Sequence, residues 1–354
     1  MKTSILLFIP NGSHMDCCKA SIENGRITGY KKYLGKLPYI GDRTDDFSDV
    51  KAAGYILPTG MGVVTEGISA ISDEVMKKIK SLILYTPEEN NLTLKTIRQW
   101  TPFLESAKHY LVCDSAYFNT LPAKSSTYAI PLKMRKTGAR KYGGFGLCHE
   151  NAWKKCGQKT GQLISVYLGD KTNIAAIENG LPVDTTMGFT SLEGIPSFTS
   201  CGDIDPTIIF ELHNKGMSFN EINKMLSLES GFSGLLEKRT NFYELMANLG
   251  NKNNKRISEI LSYMIVKYIG AFAAVLGGMD SLSFSADTPE LAKDFIYNIC
   301  GKLEFTGLKF DLKHEFKEEV TKASSYGSKT ECLVVRFDKW KIMAEKMINA
   351  GKEA

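Results

Sequence analysis

A chain of 354 residues is longer than one hydrophobic core usually fills, so two domains are expected. Its hydrophobic and charged fractions, 43% and 23%, are those of an ordinary soluble globular protein. The net charge of +5 comes without a basic tract interleaved with aromatics, so a nucleic-acid partner is not expected.

The eight cysteines show no C-x-x-C spacing, which disfavours a zinc site and fits reduced thiols in a cytoplasm. Residues 4–9 and 18–22 read as a first β-hairpin. The N-terminal apolar run carries a lysine but no small-residue cleavage site follows it, so it is read as a strand and not as a leader. Segments 73–84 and 92–106 have helical spacing. An apolar strand, 110–113, then ends at Asp114, and the carboxyl end of a strand is where α/β sheets usually place their chemistry. A Gly-rich run, 142–146, leads into the second half.

There, 163–168 is a β-rich run that ends in the turn Gly169-Asp170-Lys171, and 173–177 is a second run closed by Asn179-Gly180, a two-residue hairpin signal. Next come the loop Asp184-Thr185-Thr186-Met187-Gly188 and, ahead of a helix at 205–214, Gly202-Asp203-Ile204-Asp205-Pro206. Strand, hairpin, strand and small-residue loop together bring backbone N–H groups up to a phosphate. Further helices are expected at 218–228, 257–276 and 289–300, then a strand at 333–337 and a closing helix at 339–349. The most apolar of these, 257–275, carries Glu259, Ser262 and Lys267, which a membrane span would seldom tolerate. It is read as a core helix, and no membrane partner is expected.

The wording of these motifs resembles the acetate kinases, in the superfamily of sugar kinases, actin and heat-shock ATPases. The resemblance rests on DSAYFNTLP (114–122), YAIP (128–131), DTTMGFTSLEG (184–194), GDIDPTIIF (202–210), ESGFSGL (229–235), KYIGAFAAVLGGMDSLSF (267–284) and LEFTGLKFD (303–311), in family order over nearly the whole chain. It implies an α/β fold of two ribonuclease-H-like, actin-like ATPase domains with an interdomain cleft. The first domain would be 1–150 plus about 335–354; the second, 151–334, would carry nucleotide binding and pairing into a homodimer. It also implies a reaction, acetate plus ATP giving acetyl phosphate plus ADP, with Mg2+ and ATP as cofactors.

Such a reaction brings two anions together, so the site needs cations and hydrogen-bond donors on the phosphoryl group and a carboxylate-held magnesium. Carried over residue by residue, only the family's aspartate is kept, as Asp114, the metal ligand if any is bound. The opening-turn asparagine falls on Pro10, with Asn11 one residue away and Gly12-Ser13 as the phosphate turn. The first arginine of G-H-R-V-V-H-G-G becomes Ile56, which removes a bidentate anion contact. P-L-H-N-P-P-N becomes 85–91, without a histidine. The phosphoryl-stabilising histidine falls on Phe145, while a second histidine survives as His149, read as structural. The second arginine becomes Ser200 and the magnesium-linked glutamate Lys339, which would repel the metal.

On the nucleotide side, H-L-G-N-G becomes 167–171, placing Gly169 and Asp170 at the phosphates, with Gly202 in the neighbouring loop. The S-D-M-R clamp becomes Thr240-Asn241-Phe242-Tyr243, and the Gly-rich A-G-I-G-E-N loop is missing between Ala286-Asp287 and Thr288. Pro58 and Pro196 are expected to line the substrate pocket. New candidate groups, Lys171, Lys339, Arg239 and Tyr243, are scattered and form no recognisable constellation. The expected protein is an acetate-kinase-like homodimer with lost or strongly reduced catalysis that binds a small carboxylate or acyl phosphate, regulates, or pairs with an active paralogue. The alternative is an active short-chain carboxylate kinase with a rearranged site.

Overall fold

The computed structural model describes residues 2–11, 14–34, 47–83, 85, 89–157, 161–311 and 313–353. The expected phosphate turn at Gly12-Ser13, and 86–88 of the 85–91 segment, lie outside them. The described chain divides into two compact units, 1–119 with 338–354 and 120–337.

In the first unit, β1 (Lys2–Asn11) and β2 (His14–Glu23) form an antiparallel hairpin in which Phe8 faces Cys17 across the ladder. They are followed by β3 (Arg26–Tyr33), β4 (Val50–Leu57), β5 (Ile68–Ala70), α1 (Asp73–Leu82), α2 (Glu89–Trp100) and β6 (Lys108–Cys113). The sheet order is β3-β2-β1-β4-β6-β5, and β1, β4 and β6 run parallel. Parallel strands buried on both faces read as continuous apolar runs, as Ile5–Ile9 does. Their core is aromatic: Phe8 stacks on Tyr55 with ring centroids 4.9 Å apart and meets Trp100 at 5.0 Å. Helix α2 stops at Trp100, short of the expected 106, because Pro102 disfavours helical geometry in the residue before it.

In the second unit, α3 (Ala123–Ser126), α4 (Leu132–Arg135) and α5 (Gly146–Lys155) precede β7 (Gln162–Tyr167), β8 (Asn173–Glu178) and β9 (Leu181–Thr185). Asn179 and Gly180 turn β8 into β9 with φ of 52° and 83°, the left-handed pair that a tight hairpin needs. The helices α6 (Thr207–Asn214), α7 (Phe219–Lys224), α8 (Gly231–Leu236), α9 (Phe242–Ala247) and α10 (Lys252–Leu276) lead to β10 (Ser281–Ala286) and α11 (Lys293–Gly301), then β11 (Val320–Lys322) and β12 (Glu331–Arg336). This sheet runs β11-β12-β10-β7-β8-β9, with β7, β10 and β12 parallel. The composition of α10 alone would suit a membrane span, but eight of its residues, among them Leu261, Ile265, Ile269 and Phe272, are buried and the helix packs on β7 and β8. The closing helix α12 (Lys339–Glu353) belongs to the first unit, where Met343 and Met347 press onto Gly54 of β4, leaving no room there for a Cβ.

The border between units lies at 119/120, ahead of the 150 expected from sequence. Hydrogen bonds draw 120–150 into the second unit: Ser125 Oγ donates to Val183 O (2.6 Å), and the N–H groups of Tyr142 and Gly143 donate to Gly188 O (2.9 and 3.2 Å). All eight cysteines are free thiols, and Cys17, Cys18, Cys113, Cys148, Cys300 and Cys332 are buried.

Candidate functional site

In the first unit the sheet gathers several expected residues at one end. Strands β1, β4 and β6 are parallel, with Phe8 beside Tyr55 and Ile56 beside Val112, so Pro10, Ile56, Pro58 and Asp114 all lie at their carboxyl edge. Asp114 is half-buried and opens a 3₁₀ turn, Asp114–Thr120. Behind it, Ser115 Oγ accepts the Gly60 N–H (2.9 Å) and ties the loops after β4 and β6 together. Burial pushes the neighbouring Cys113 thiol up to about 11, which removes it as a nucleophile near neutral pH.

Among the described residues, the groups expected to join Asp114 are engaged elsewhere. Ile56 is buried, and its carbonyl accepts from Thr93 Oγ1 (2.8 Å), which anchors β4 to α2. The Asn11 amide donates to Asp16 (2.9 Å). Lys339 opens α12 with its ammonium 5.6 Å from the Trp340 ring centroid. The carboxylate beside it, Asp338, accepts the N–H groups of Trp340 (3.0 Å) and Lys341 (3.1 Å) and serves as the helix cap. Among the described residues no group of three or more His, Cys, Asp and Glu could hold a metal ion. Asp114 with a lysine at the glutamate's expected place is not a magnesium donor set.

In the second unit the turn between β7 and β8 is filled by its own side chains. Tyr167 stacks on Phe145 with centroids 4.4 Å apart and meets the edge of Phe337 at 5.6 Å. Its hydroxyl lies over Gly169, 2.9 Å from where a Cβ there would sit. Burial drives the Tyr167 phenol well above its ordinary range, so the group stays neutral. Phe145 heads α5 at φ 57° and ψ 33°, a left-handed conformation that costs a bulky residue about 1–3 kcal/mol. The aromatic stack therefore occupies the positions where the resemblance places phosphoryl-binding histidines.

Asp170, next in the turn, is exposed, but its carboxylate is anchored to the chain. Its Oδ1 accepts the Phe242 N–H (2.8 Å) at the head of α9, its carbonyl accepts the Phe198 N–H (2.9 Å), and desolvation of the carboxyl raises its pKa. Asn241 caps α9 by accepting from Glu244 N (2.9 Å). Gly169, Asp170, Asn241 and Phe242 are thus brought together, but as a packed corner whose one acidic group would oppose a phosphate. Tyr243 closes the neighbouring turn: only Asp287 and Thr288 separate β10 from the 3₁₀ turn at Pro289, and the Thr288 N–H donates to the Tyr243 hydroxyl (3.1 Å). Burial pushes that phenol up to about 12.

The sequence reading missed Arg336, which grips the same turn. Its guanidinium donates to Asp287 O (3.3 Å), Glu290 Oε2 (2.8 Å) and Phe316 O (3.2 Å).

Ser200 sits in a closed knot in which its hydroxyl meets that of Ser197 (2.6 Å) and its N–H donates to the same oxygen (2.7 Å). Gly231 (φ 65°) packs its α-carbon against Ser197 O, and Gly202 (φ 68°) lies against Pro196. Lys171 reaches Ser191 (3.5 Å), and Arg239 is exposed.

His149 is structural. It is fully buried between Ser165 Oγ (2.9 Å from Nδ1) and Asn173 Nδ2 (3.2 Å from Nε2), and burial lowers its pKa to about 3. Asn173, another residue the sequence reading passed over, is the hub of the Asp184–Gly188 loop. Its Oδ1 accepts from Thr185, Thr186 and the Met187 N–H, and its Nδ2 donates to Gly144 O.

The family model for the acetokinase family matches residues 34–345. The chain belongs to the acetokinase family. It is 34% identical over 306 residues to the acetate kinase of Thermosipho melanesiensis, covering 82% of this chain and 74% of that one. Among solved structures it resembles a propionate kinase from Francisella tularensis (25% identity, TM-score 0.82, 97% and 98% of the two chains). It also superimposes on the acetate kinase of Entamoeba histolytica (20% identity, TM-score 0.84, 99% of each chain), which speaks to the fold alone. The two mixed sheets with their helices are accordingly the two-domain, actin-like ATPase fold of the acetokinases.

Proposed function

We propose that this acetokinase forms acetyl phosphate not at all or only at a strongly reduced rate, and serves instead in a binding, regulatory or paralogue-pairing role. The observation that carries this is the Tyr167–Phe145 stack over Gly169, beside Asp170, whose carboxylate accepts the Phe242 N–H. Phosphoryl transfer depends almost wholly on positioning and on neutralising charge at the transferring group. Where the resemblance requires histidine and arginine, this corner presents two aromatic rings, a buried serine and a carboxyl.

One missing arginine can cost about three to five decades in rate. One missing oxyanion donor costs about two to three. These losses are not additive, yet both are incurred here. ATP and Mg2+ are the cofactors only of whatever activity remains.

A second reading, a working short-chain carboxylate kinase with a rearranged site, draws support from Asp114 at its strand end and from relatives that are themselves acetate kinases. Hydroxamate trapping of acetyl phosphate from acetate and Mg-ATP decides between them. Turnover of about 1 per second or faster, abolished in Asp114→Ala, would establish the kinase.

The protein is proposed to act in the cytoplasm as a twofold homodimer built on its second unit. Support comes from α10, whose outer face exposes Tyr263, Ala271, Ala274 and Val275, and from Ile208, Phe210 and Phe219 standing exposed on α6 and α7.

A further inference from the structure

The segment from Ser115 to His149 carries six cations, Lys124, Lys133, Arg135, Lys136, Arg140 and Lys141, and no aspartate or glutamate. Its charge alone exceeds the +5 of the whole chain. Lys124 is exposed on α3, and the other five cations divide into two groups. Lys141 is tied to Asp184 (2.9 Å), and Arg140 lies over the Tyr142 ring with its guanidinium carbon 5.7 Å from the centroid. Lys133, Arg135 and Lys136 project from a small outward loop built on α4, where every residue from 131 to 138 is exposed. No carboxylate pairs with these three among the described residues.

Between them stand aliphatic side chains. Leu132 is 57% exposed, Met134 51% and Ile130 39%. The loop is nonetheless firmly built. Pro131 sets its start, Pro131 O accepts from Met134 N and Arg135 N, Arg135 Nε donates to Ile130 O (3.2 Å), and Thr137 Oγ1 donates to Met134 O (2.7 Å). A rigid loop that adds nothing to the core, yet holds two large aliphatics and three cations outward, has its physical rationale in what it touches.

We propose that the 130–136 loop docks on an anionic lipid surface, with Leu132 and Met134 entering the headgroup–acyl boundary and Lys133, Arg135 and Lys136 lying among the acidic headgroups. Charge complementarity selects an anionic partner, and flexible aliphatics flanked by cations suit a lipid boundary. A nucleic acid would be met by aromatic stacking platforms, which 130–136 lacks. A peptide would need a groove or strand edge, and a four-residue helix offers neither. The sequence-based expectation of no membrane partner rested on the want of a spanning segment, and surface docking requires none.

The test is co-sedimentation of the full chain with phosphatidylcholine vesicles with and without phosphatidylserine, at low and high salt. Binding is expected only with phosphatidylserine, and to fall as salt rises. Each cation near such a leaflet strengthens binding about fivefold, so the K133Q/R135Q/K136Q variant should bind about a hundredfold more weakly. The L132S/M134S variant should also bind less well, and both variants should fold, since every altered side chain is exposed. Equal binding to both kinds of vesicle, or undiminished binding by L132S/M134S, would overturn the proposal. So would tighter binding to soluble polyglutamate than to the vesicles, which would instead indicate an acidic protein partner.

Discussion

Acid should weaken this protein through His149 in a way that one substitution removes. Asn173 cannot turn to suit a charged imidazole, because its Oδ1 is engaged by Thr185, Thr186 and Met187. Its Nδ2 therefore donates to Nε2, and the neutral ring donates from Nδ1 to Ser165 Oγ. A proton on Nε2 would meet a donor, inside a fully buried site. Burial accordingly holds the folded-state pKa at about 3 against an ordinary value of 6.5.

The sign follows from proton counting. Below pH 6.5 the unfolded chain takes up a proton that the folded chain refuses, so stability is full above that value and declines as the pH falls towards about 3. The slope is about 1.4 kcal/mol per pH unit, which makes the loss between about pH 7.5 and about pH 5 roughly 2 kcal/mol. Urea unfolding of wild type and His149→Gln at the two pH values isolates this contribution. The variant should be weaker at neutral pH by about 1–3 kcal/mol for its broken hydrogen bonds, yet lose about 2 kcal/mol less than wild type on acidification. Equal losses in the two proteins would show that His149 already carries a proton or contacts water, and the reasoning would fail.

Restoring one residue at a time should not restore catalysis: Lys339→Glu leaves Ile56, Phe145 and Ser200 uncharged, and Ile56→Arg buries a guanidinium beside an unfinished site. Measurable acetyl phosphate is expected only from the fourfold replacement with the Gly-rich loop rebuilt, so rescue by either single variant would contradict the argument. Mg-ATP should bind with a Kd of about 1 mM or weaker. At a few millimolar it should then raise the melting temperature by no more than about 2 °C, and a rise of about 6 °C would refute it. Light scattering at micromolar concentration should report a dimer, and a monomer would dismiss the homodimer.

Much of this fold was legible because its signals are local. The Asn179-Gly180 turn, the β1–β2 hairpin and the strand ending at Asp114 each rest on a few adjacent residues. Strand β4, VKAAGYIL, escaped notice because Ala-Ala-Gly carries little β-propensity, and the reason for it lies in Met347 packing on Gly54. Strand β10 hid behind three serines alternating with Leu282 and Phe284. Resemblance alone gave the expected site and the positions where its residue types are expected to differ from the family's. It could not show what the new ones do. That Phe145 and Tyr167 stack, that Tyr243 holds Thr288, or that Arg336 grips Asp287 depends on contacts between distant parts of the chain.

The burial of the cysteines has a practical side. Six of the eight are enclosed, and the two half-exposed ones are electrostatically quiet: burial pushes Cys156 up to about 12 and raises Cys201 as well. Alkylation proceeds through the thiolate, of which an ordinary exposed cysteine near pKa 8.5 keeps a few per cent at neutral pH. A thiol near 12 keeps about a thousandfold less. A single cysteine placed on the exposed 131–138 loop would therefore take a spin label or fluorophore almost alone, with no native thiol deleted first.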